Sequence, residues 1–205
     1  MRAHQRQYWL VTDTRDCRFH RCGLASPRRV AGWLILGALL LGVPPVFPQS
    51  NDGAEYKIKL AFLYNFAQFV EWPGGAFSDA HSPLLICVAG DNPFQGDLEQ
   101  GLRGRTVAGH PIQIKGLKPG DNPSGCHLLF VRSDQRGVDR LLLGLKGSSV
   151  LTVGETKGFA QRGGVINLTR EDNKLRFEIN VNAAGQTPLR ISSRLLALAK
   201  IVKEP

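Results

Sequence analysis

The residue types that most often carry out chemistry in proteins are sparse after position 50 of this chain. They comprise three histidines, two cysteines and one aspartate that follows an apolar run: His81, His110, His127, Cys87, Cys126 and Asp91. The histidines form no H-E-x-x-H motif and the cysteines form no C-x-x-C pair, so no set of metal ligands is indicated. The chain also contains no G-x-S-x-G nucleophile elbow and no Walker phosphate loop. The sequence therefore predicts no catalytic residue, no metal site and no cofactor, and it favours a binding protein over an enzyme.

Asp91 is the carboxylate that follows a predicted strand. The apolar run of residues 84–89 predicts that strand, so the carboxylate of Asp91 could be catalytic. However, Asn92 and Pro93 are typical of an N-cap and of the first position of a helix. We therefore interpret Asp91 as a turn residue.

The two cysteines after position 50 each lie at the edge of a predicted buried strand. An even number of cysteines in an exported chain favours one disulfide, and adjacent parallel strands could bring Cys87 and Cys126 together. Closing a loop of this length would stabilise the protein by about 4 kcal/mol in the chain-entropy model. Two buried free thiols are the alternative.

A small anionic ligand is the binding chemistry that the residues themselves suggest. Ser192 or Ser193 caps a predicted final helix, and the free N–H groups at a helix start attract anions. Arg190 lies beside this helix start and could bind a carboxylate or a phosphate. Arg162, which precedes two glycines, is a second candidate. A capped helix with a solvent-facing arginine, and glycines that serve a turn, would explain the same residues without a ligand.

The first 50 residues are typical of a leader rather than of a folded domain. Arg28 and Arg29 precede an apolar run over residues 30–43, which is shorter than the ~20 residues of a spanning helix and suits a signal peptide. No clear cleavage motif follows, and a retained N-terminal anchor is the alternative. We expect residues 1–50 to be the leader and residues 51–205 to form one domain outside the inner membrane.

The net charge of +9 does not indicate a nucleic-acid-binding protein. The first 50 residues hold seven arginines and two aspartates, so they contribute much of the excess. In the rest of the chain the 19 basic and 15 acidic residues are interspersed. A nucleic-acid-binding domain would instead show a clustered basic stripe.

The apolar pattern of residues 55–71 predicts a helix that is buried on more than one side. Ile58, Phe62, Phe66 and Phe69 recur at helical spacing, and other apolar residues widen this surface well beyond one stripe. One side can pack on a sheet, and the other needs a second helix or another protein. We therefore expect Phe62, Phe66 and Phe69 to contact a partner.

Helices and strands alternate through the first half of the domain, and a hairpin closes the sheet. The predicted strands are residues 84–89, 106–117, 127–132, 149–153, 163–169 and 174–182. The predicted helices after the first begin near Asn92, near Ser133 and near Ser192. The pattern predicts a single α/β domain, with a mixed sheet of about six strands flanked by about five helices.

Several motifs, in the same order along the chain, are similar to those of one known family. They are A-F-L-Y-N-F at residues 61–66, F-V-E-W-P at 69–73, C-V-A-G-D-N-P-F at 87–94, G-G-V-I-N at 163–167, R-F-E-I-N at 176–180 and L-R-I-S-S-R-L-L at 189–196. Through them the chain resembles the YfiR family over about residues 54–203. Because the motifs are several and ordered, the resemblance is specific.

The resemblance implies a periplasmic negative regulator that binds the outer domain of an inner-membrane diguanylate cyclase, and so controls cyclic-di-GMP and biofilm formation. It also implies a homodimer and pairs Cys87 with Cys126. A second disulfide of the family's named member is absent here, which puts redox switching through that pair in doubt. Family members also occur beside sensor kinases and other membrane receptors. The alternative is therefore a small-ligand-binding sensory module that acts with such a receptor.

Overall fold

Eight strands form one mixed sheet in the part of the chain that the computed structural model describes, residues 52–203. The helices are α1 (Asp52–Gln68), α2 (Asp97–Gln100), α3 (Val138–Gly144), α4 (Val181–Gly185) and α5 (Ser193–Leu198). The strands are β1 (Val70–Glu71), β2 (Leu84–Ala89), β3 (Thr106–Val107), β4 (His110–Leu117), β5 (Leu128–Val131), β6 (Leu151–Gly154), β7 (Ile166–Glu171), β8 (Lys174–Asn180), β9 (Arg190–Ile191) and β10 (Lys200–Val202). The predicted leader lies outside the described residues.

The strand order of the main sheet is β10-β8-β7-β6-β5-β2-β4-β3. Its centre is parallel, because β4, β2, β5, β6 and β7 all pair in parallel. Both edges contain antiparallel pairs, since β3 pairs antiparallel with β4 and β7 pairs antiparallel with β8. β10 then adds to β8 in parallel. The central strands are almost fully buried, as expected for a parallel sheet covered on both faces.

The two faces of the sheet carry two separate apolar cores. On one face α1 supplies Leu60, Leu63 and Phe66 to a large core that also contains Phe94 and Phe130. On the other face α3 supplies Val138 and Leu142 to a smaller core. Alternate residues of β2 separate the cores: Ile86 and Val88 face α1, whereas Cys87 and Ala89 face α3.

The predicted disulfide between Cys87 and Cys126 is present and lies in the α3-side core. Cys87 is in β2, and Cys126 ends a short 3-10 turn that leads into β5. Because β2 and β5 are parallel neighbours, the two Cα atoms are 5.9 Å apart, which suits a disulfide.

Phe159 closes the same core because two glycines leave room for its ring. Its side chain is completely buried. A Cβ atom at Gly154 or at Gly164 would overlap that ring, so both positions require glycine for this packing. The two glycines predicted to serve a turn after Arg162 therefore differ in role: Gly163 has the left-handed φ of 94°, whereas Gly164 gives access to Phe159.

The structure confirms the α/β class but corrects several predicted boundaries. The main sheet has eight strands in the described residues instead of about six, and four helices of five or more residues accompany the single turn of α2. The first helix ends at Gln68, because Val70–Glu71 pairs with Arg190–Ile191 instead. The helix predicted to start near Ser133 starts at Val138, and the helix predicted to start near Asn92 is only the single turn of Asp97–Gln100.

The end of the chain was predicted wrongly as one long helix. The helix after Ser192 ends at Leu198, and Lys200–Val202 forms β10. The physical reason is the free edge of β8, whose backbone groups pair with those of β10. The hairpin of β7 and β8 is confirmed, and its turn residues Asp172 and Asn173 have the positive φ values of 48° and 60° that a tight hairpin requires.

Candidate partner-binding surface

A buried ion pair fixes α1 on the sheet. Lys59 is only 7% exposed, and its Nζ lies 2.6 Å from Glu155 Oε2 and 2.7 Å from Glu55 Oε1. Glu155 directly follows β6, at the carboxyl end of the central strands. Its Oε1 also accepts hydrogen bonds from the backbone N–H of Ser133 at 3.0 Å and from the hydroxyl of Tyr56 at 3.2 Å. The orientation of α1 is therefore determined by polar contacts as well as by apolar packing.

The protonation states of this cluster follow from its hydrogen bonds. Burial lowers the pKa of Lys59, but its hydrogen bonds to Glu155 and Glu55 outweigh burial, so the pKa is raised overall. The hydrogen bond from Lys59 holds the pKa of Glu55 below its ordinary value. Burial, followed by the charge of Glu155, raises the pKa of Tyr56. At neutral pH Lys59 is therefore a cation and Tyr56 is a neutral donor.

Asp91 lies in a turn, as the sequence predicted. The side chain of Asn92 accepts a hydrogen bond from the N–H of Phe94 at 3.0 Å, which closes that turn. The carbonyl of Asp91 accepts from the guanidinium of Arg132 at 2.9 Å. This carbonyl helps hold Arg132 next to the pair of Lys59 and Glu155. The guanidinium of Arg132 lies 5.1 Å from the ring of Tyr56.

Phe66, which the sequence placed on a partner-binding surface, instead belongs to the protein's own core. Its side chain is 1% exposed, and its ring lies 5.0 Å from that of Phe177 in β8 and 5.7 Å from that of Phe62. The helical position of Phe66 faces the sheet, so no partner can reach it in this structure. The prediction failed because an apolar stripe wider than one face does not show which residues are innermost.

A half-exposed apolar stripe remains on the flank of α1, and we call Ile58, Phe62 and Phe69 the α1 stripe. Ile58 is 52% exposed, and Phe62 and Phe69 are half-buried at the border of the core. With about 100° per residue these three positions fall within about 40° around the helix axis. The sequence singled out Phe62 and Phe69; exposure adds Ile58. Ile58 and Phe62 lie in α1 and Phe69 directly follows its last residue, so the stripe is an apolar surface along α1 that another protein could cover.

The opposite flank of α1 borders a cleft of about 260 Å³. Its walls are mainly Leu60, Tyr64, Leu102 and Arg105, and the guanidinium of Arg105 lies 5.1 Å from the Tyr64 ring. Gln68 donates hydrogen bonds to the hydroxyl of Tyr64 and to the carbonyl of residue 106, both at 2.9 Å. Because these polar groups contact one another within the chain, this flank is polar in part, whereas the α1 stripe is apolar.

The three residues predicted to bind an anion do not share one cleft. Arg190, in β9, is exposed and lines a cleft of about 360 Å³ beside Glu71 and Trp72. Ser192 caps α5, and its hydroxyl accepts from the N–H of Leu195 at 3.4 Å, as in an ordinary N-cap. Arg162 lies elsewhere and pairs with Asp139 at 3.4 Å. Arg190 therefore lines a cleft that a small ligand could occupy.

His127 is the buried titratable residue that sequence reasoning left without a role. Its Nδ1 accepts from the N–H of Leu85 at 3.1 Å, so Nε2 carries the proton and donates to the carbonyl of Ala76 at 3.0 Å. Its ring stacks on Phe77 with centroids 4.3 Å apart, and Phe77 stacks in turn on His110 at 3.7 Å. Burial lowers the pKa of His127. The imidazole is therefore a structural link between the 72–77 loop and the start of β5.

The sequence profile of the YfiR/HmsC-like family matches residues 56–200, which is most of this chain and nearly all of the described residues. The chain belongs to the YfiR/HmsC-like family. This family consists of periplasmic regulatory domains rather than catalysts. Membership agrees with the resemblance found from the motifs around α1, β2, β7 and β8. No individually curated protein matches the chain.

Residues 52–203 of this YfiR/HmsC-like chain contain neither a helix suited to cross a membrane nor a cluster suited to hold a metal ion. No helix in that range combines the length and the apolar composition needed to cross a membrane. In the same range, no group of three or more His, Cys, Asp and Glu side chains is arranged to hold a metal ion.

Proposed function

We propose that this chain is an exported negative regulator that binds the periplasmic domain of an inner-membrane diguanylate cyclase and thereby lowers cyclic-di-GMP. The observation that carries the proposal is the family match over residues 56–200. Export through a signal peptide within residues 1–50 and assembly as a homodimer are parts of the same proposal. The apolar run at residues 30–43 supports export.

The α1 stripe is the surface proposed to meet the partner. The α1 stripe continues from the buried core to the solvent-exposed Ile58, so a partner that covered it would bury apolar surface next to the core. Lys59 and Glu155 hold α1 rigidly, so the stripe is presented without the entropy cost of ordering a loop. Phe66 lies behind the stripe and supports it without touching the partner.

The binding test uses two matched substitutions at exposed apolar residues. Ile58→Asp places a charge in the α1 stripe, whereas Leu143→Asp places the same charge on α3, where Leu143 is 67% exposed. We expect Ile58→Asp to weaken binding of the cyclase's periplasmic domain at least about tenfold, and Leu143→Asp to leave binding unchanged. Circular dichroism checks that both variants fold. Equal affinity for both folded variants would show that the partner does not bind to the α1 stripe.

The cellular test measures cyclic-di-GMP in a strain that lacks this chain and in the same strain complemented with it. We expect the concentration to rise in the deletion strain and to fall again on complementation with wild type or Leu143→Asp. Complementation with Ile58→Asp should fail. No rise in the deletion strain would argue against a cyclase partner and in favour of the second candidate function.

The second candidate function is a ligand-binding sensory module that acts with a sensor kinase or another membrane receptor. Its supporting observation is the cleft beside Arg190, in which an exposed guanidinium is available to a small carboxylate or phosphate. Glu71 is the direct neighbour of Arg190 in the β1–β9 pair, and its carboxylate opposes an anion there. A ligand would therefore need to engage Arg190 from the side away from Glu71.

Isothermal titration with acetate, succinate and inorganic phosphate separates the two functions. The sensory function predicts heat of binding that Arg190→Ala abolishes and that Arg162→Ala leaves intact. Arg162 is the matched control because it is an arginine outside this cleft. If no titrant gives heat with wild type, the sensory function at Arg190 is excluded for these anions.

A further inference from the structure

The chain changes the direction in which it adds strands to the parallel part of the main sheet. It runs from β2 outward to β4, and it then returns past β2 to add β5, β6 and β7 on the other side. In an open α/β sheet such a reversal leaves a crevice outside the carboxyl ends of the strands, and ligands of this type of fold bind in that crevice. The reversal point of this sheet lies between β2 and β5.

The connections that leave β2 and β5 go to opposite faces of the sheet. Phe94, which follows β2, joins the α1-side core, whereas Val138, which follows β5, joins the α3-side core. The strand register aligns Ala89 and Val131, the last residues of β2 and β5. A cleft of about 830 Å³ opens beyond these strand ends and is lined by residues that follow β2, β4 and β5. The cleft therefore has the position at which a ligand is expected in this type of sheet.

Gly90 and Asp134 form one wall of this cleft. Gly90 has the left-handed φ of 103°, and a Cβ atom there would overlap the carboxylate of Asp134. Glycine at this position therefore lets the Asp134 side chain lie against the backbone that follows β2. In this position Asp134 Oδ1 lies 3.6 Å from the Nε of Arg132, so this carboxylate has a counter-charge within the chain.

The side chains that line the cleft carry more positive than negative charge. Its three cationic side chains are exposed, and they are Lys118, Arg136 and Arg140. In the part of the chain that the structure describes, no carboxylate forms an ion pair with any of these three cations. The carboxylates of the lining are Asp91 and Asp134. Because Asp134 pairs with Arg132, the three cations face the single carboxylate of Asp91.

Two further carboxylates lie close to these cations in the sequence, but neither lines the cleft. Asp121 accepts a hydrogen bond from the backbone N–H of Lys118 at 2.9 Å. Asp139 lies 3.4 Å from the guanidinium of Arg162. Both carboxylates are therefore engaged by other groups of the chain, and the cleft favours an anion over a cation.

We propose that this cleft binds a small phosphate ester that also carries hydroxyl groups, such as a sugar phosphate. A phosphate ester carries about two negative charges at neutral pH and three acceptor oxygens, which suit the guanidinium groups of Arg136 and Arg140. Lys118 adds a third positive charge from the β4 side. The carboxylate of Asp91 can only accept hydrogen bonds, so it suits a hydroxyl of the ligand.

The size of the cleft agrees with this class of ligand, because it is within the range of ordinary small-molecule sites. The lining includes no residue of the α1 stripe and no residue of the cleft beside Arg190. The proposal therefore does not depend on the proposed partner, and its failure would leave the proposed function unchanged.

Isothermal titration of the full chain with D-glucose 6-phosphate tests the proposal. Wild type should bind this probe with a dissociation constant of about 1 mM or tighter. Arg136→Ala and Arg140→Ala should each weaken binding at least about tenfold, because each removes charged hydrogen bonds to the phosphate. Arg176→Ala and Arg190→Ala remove the same charge from exposed positions outside the cleft and should leave binding unchanged. Circular dichroism checks that each variant folds.

The role of Asp91 is tested by comparing glucose 6-phosphate with inorganic phosphate. Asp91→Ala removes both an acceptor for a hydroxyl and a negative charge. It should therefore weaken the binding of glucose 6-phosphate and strengthen the binding of inorganic phosphate. If Asp91→Ala strengthens the binding of both probes, Asp91 only repels the ligand and does not bind a hydroxyl.

Four other results would overturn the proposal. The absence of heat with wild type would show that the cleft does not take a sugar phosphate. Equal weakening by Arg136→Ala and Arg176→Ala would indicate general attraction to a basic surface. Loss of binding in Arg190→Ala would place the probe in the other cleft. If succinate or inorganic phosphate binds wild type more tightly than glucose 6-phosphate does, the ligand is not a hydroxyl-bearing phosphate ester.

Discussion

The two faces of the central sheet are covered by helices of very different length, and they are held by different kinds of interaction. α1 has 17 residues and covers its face with a core of interlocking aromatic rings. α3 has seven residues and covers a smaller core, and the disulfide lies within that core. A long helix can bury enough apolar area to hold itself in place. The disulfide joins β2 to the turn before β5 rather than to α3, so it adds stability to the sheet beneath the helix that buries less.

The ion pairs of the two faces also differ, because one is buried and the other is exposed. On the α1 face the pair of Lys59 and Glu155 is buried and joins the helix to the end of β6. On the α3 face the pair of Arg162 and Asp139 is exposed. An exposed pair contributes little to stability, whereas a buried pair strongly opposes the loss of either partner. The comparison predicts that the α1 face depends on a few internal residues and the α3 face on its disulfide.

The largest effect is expected from a charge inside the α1-side core. Phe66→Asp should cost more than about 5 kcal/mol, because it removes a buried ring and leaves an unpaired buried carboxylate. We expect this variant to be unfolded by circular dichroism. Ile58→Asp on the same helix should remain folded. A cooperative thermal transition near that of wild type for Phe66→Asp would show that Phe66 is not part of the core.

Removal of the disulfide is expected to have the next largest effect. The Cys87→Ser/Cys126→Ser variant should lose about 4 kcal/mol of stability by the chain-entropy model, which corresponds to a decrease in melting temperature of about 10 °C. Differential scanning calorimetry of the oxidised and reduced wild type should show a similar difference. A reductant should not change the melting temperature of the double-serine variant. Equal melting temperatures for the oxidised and reduced wild type would mean that the α3 face does not rely on this bond.

Removal of the charge of Glu155, which pairs with Lys59 of α1, should reduce the stability somewhat less than loss of the disulfide does. Glu155→Gln removes the more buried of the two carboxylates that pair with Lys59 and leaves Glu55, and we expect a loss of about 3 kcal/mol in urea denaturation. Asp139→Asn, which breaks the exposed pair with Arg162, should cost less than about 1 kcal/mol. The Lys59→Met/Glu155→Gln variant, which removes the buried cation but keeps an acceptor for Ser133 and Tyr56, should recover part of the stability lost in Glu155→Gln. Similar losses for Glu155→Gln and Asp139→Asn would contradict the contrast between the two faces.

The smallest expected effect is a pH dependence that arises from His127. Burial lowers the pKa of His127 in the folded protein, so the unfolded chain binds the proton at a higher pH than the folded chain does. The stabilising effect is therefore fully present above the ordinary histidine pKa of about 6.5 and is lost as the pH falls below it. His127→Gln should flatten the stability curve between about pH 7 and pH 5. Parallel curves of stability against pH for wild type and His127→Gln would show that the pH dependence does not arise from His127.

The regular elements of the domain could be predicted where local pattern and tertiary environment agree. β2 and the β7–β8 hairpin lie where the apolar runs and the alternation of residues placed them. Prediction failed at the ends of the chain's helices. The last apolar residues, including Ile201, fit a helical period, but the unpaired edge of β8 draws them into β10. That edge is formed by residues far from the helix in the sequence, so no local pattern reports it.

The candidate sites show the same limit. The spacing placed Phe62, Phe66 and Phe69 on one predicted surface, but the burial of Phe66 depends on Phe177, which is more than a hundred residues later. The ion pair between Lys59 and Glu155 joins residues 96 positions apart. A lysine within an apolar helix was the available signal that a buried counter-charge existed. Its partner could not be chosen among fifteen acidic residues after position 50 without the topology of the sheet.

The position of β10 at the edge of the sheet has a consequence for the behaviour of the protein at high concentration. An open strand edge can recruit the edge of another molecule and begin aggregation. β10 is only three residues long, begins with Lys200 and is followed by Lys203, so two such edges repel each other. A chain shortened to residue 199 would lack β10 and would expose the longer edge of β8. β10 thus protects this edge of the sheet from pairing with another molecule.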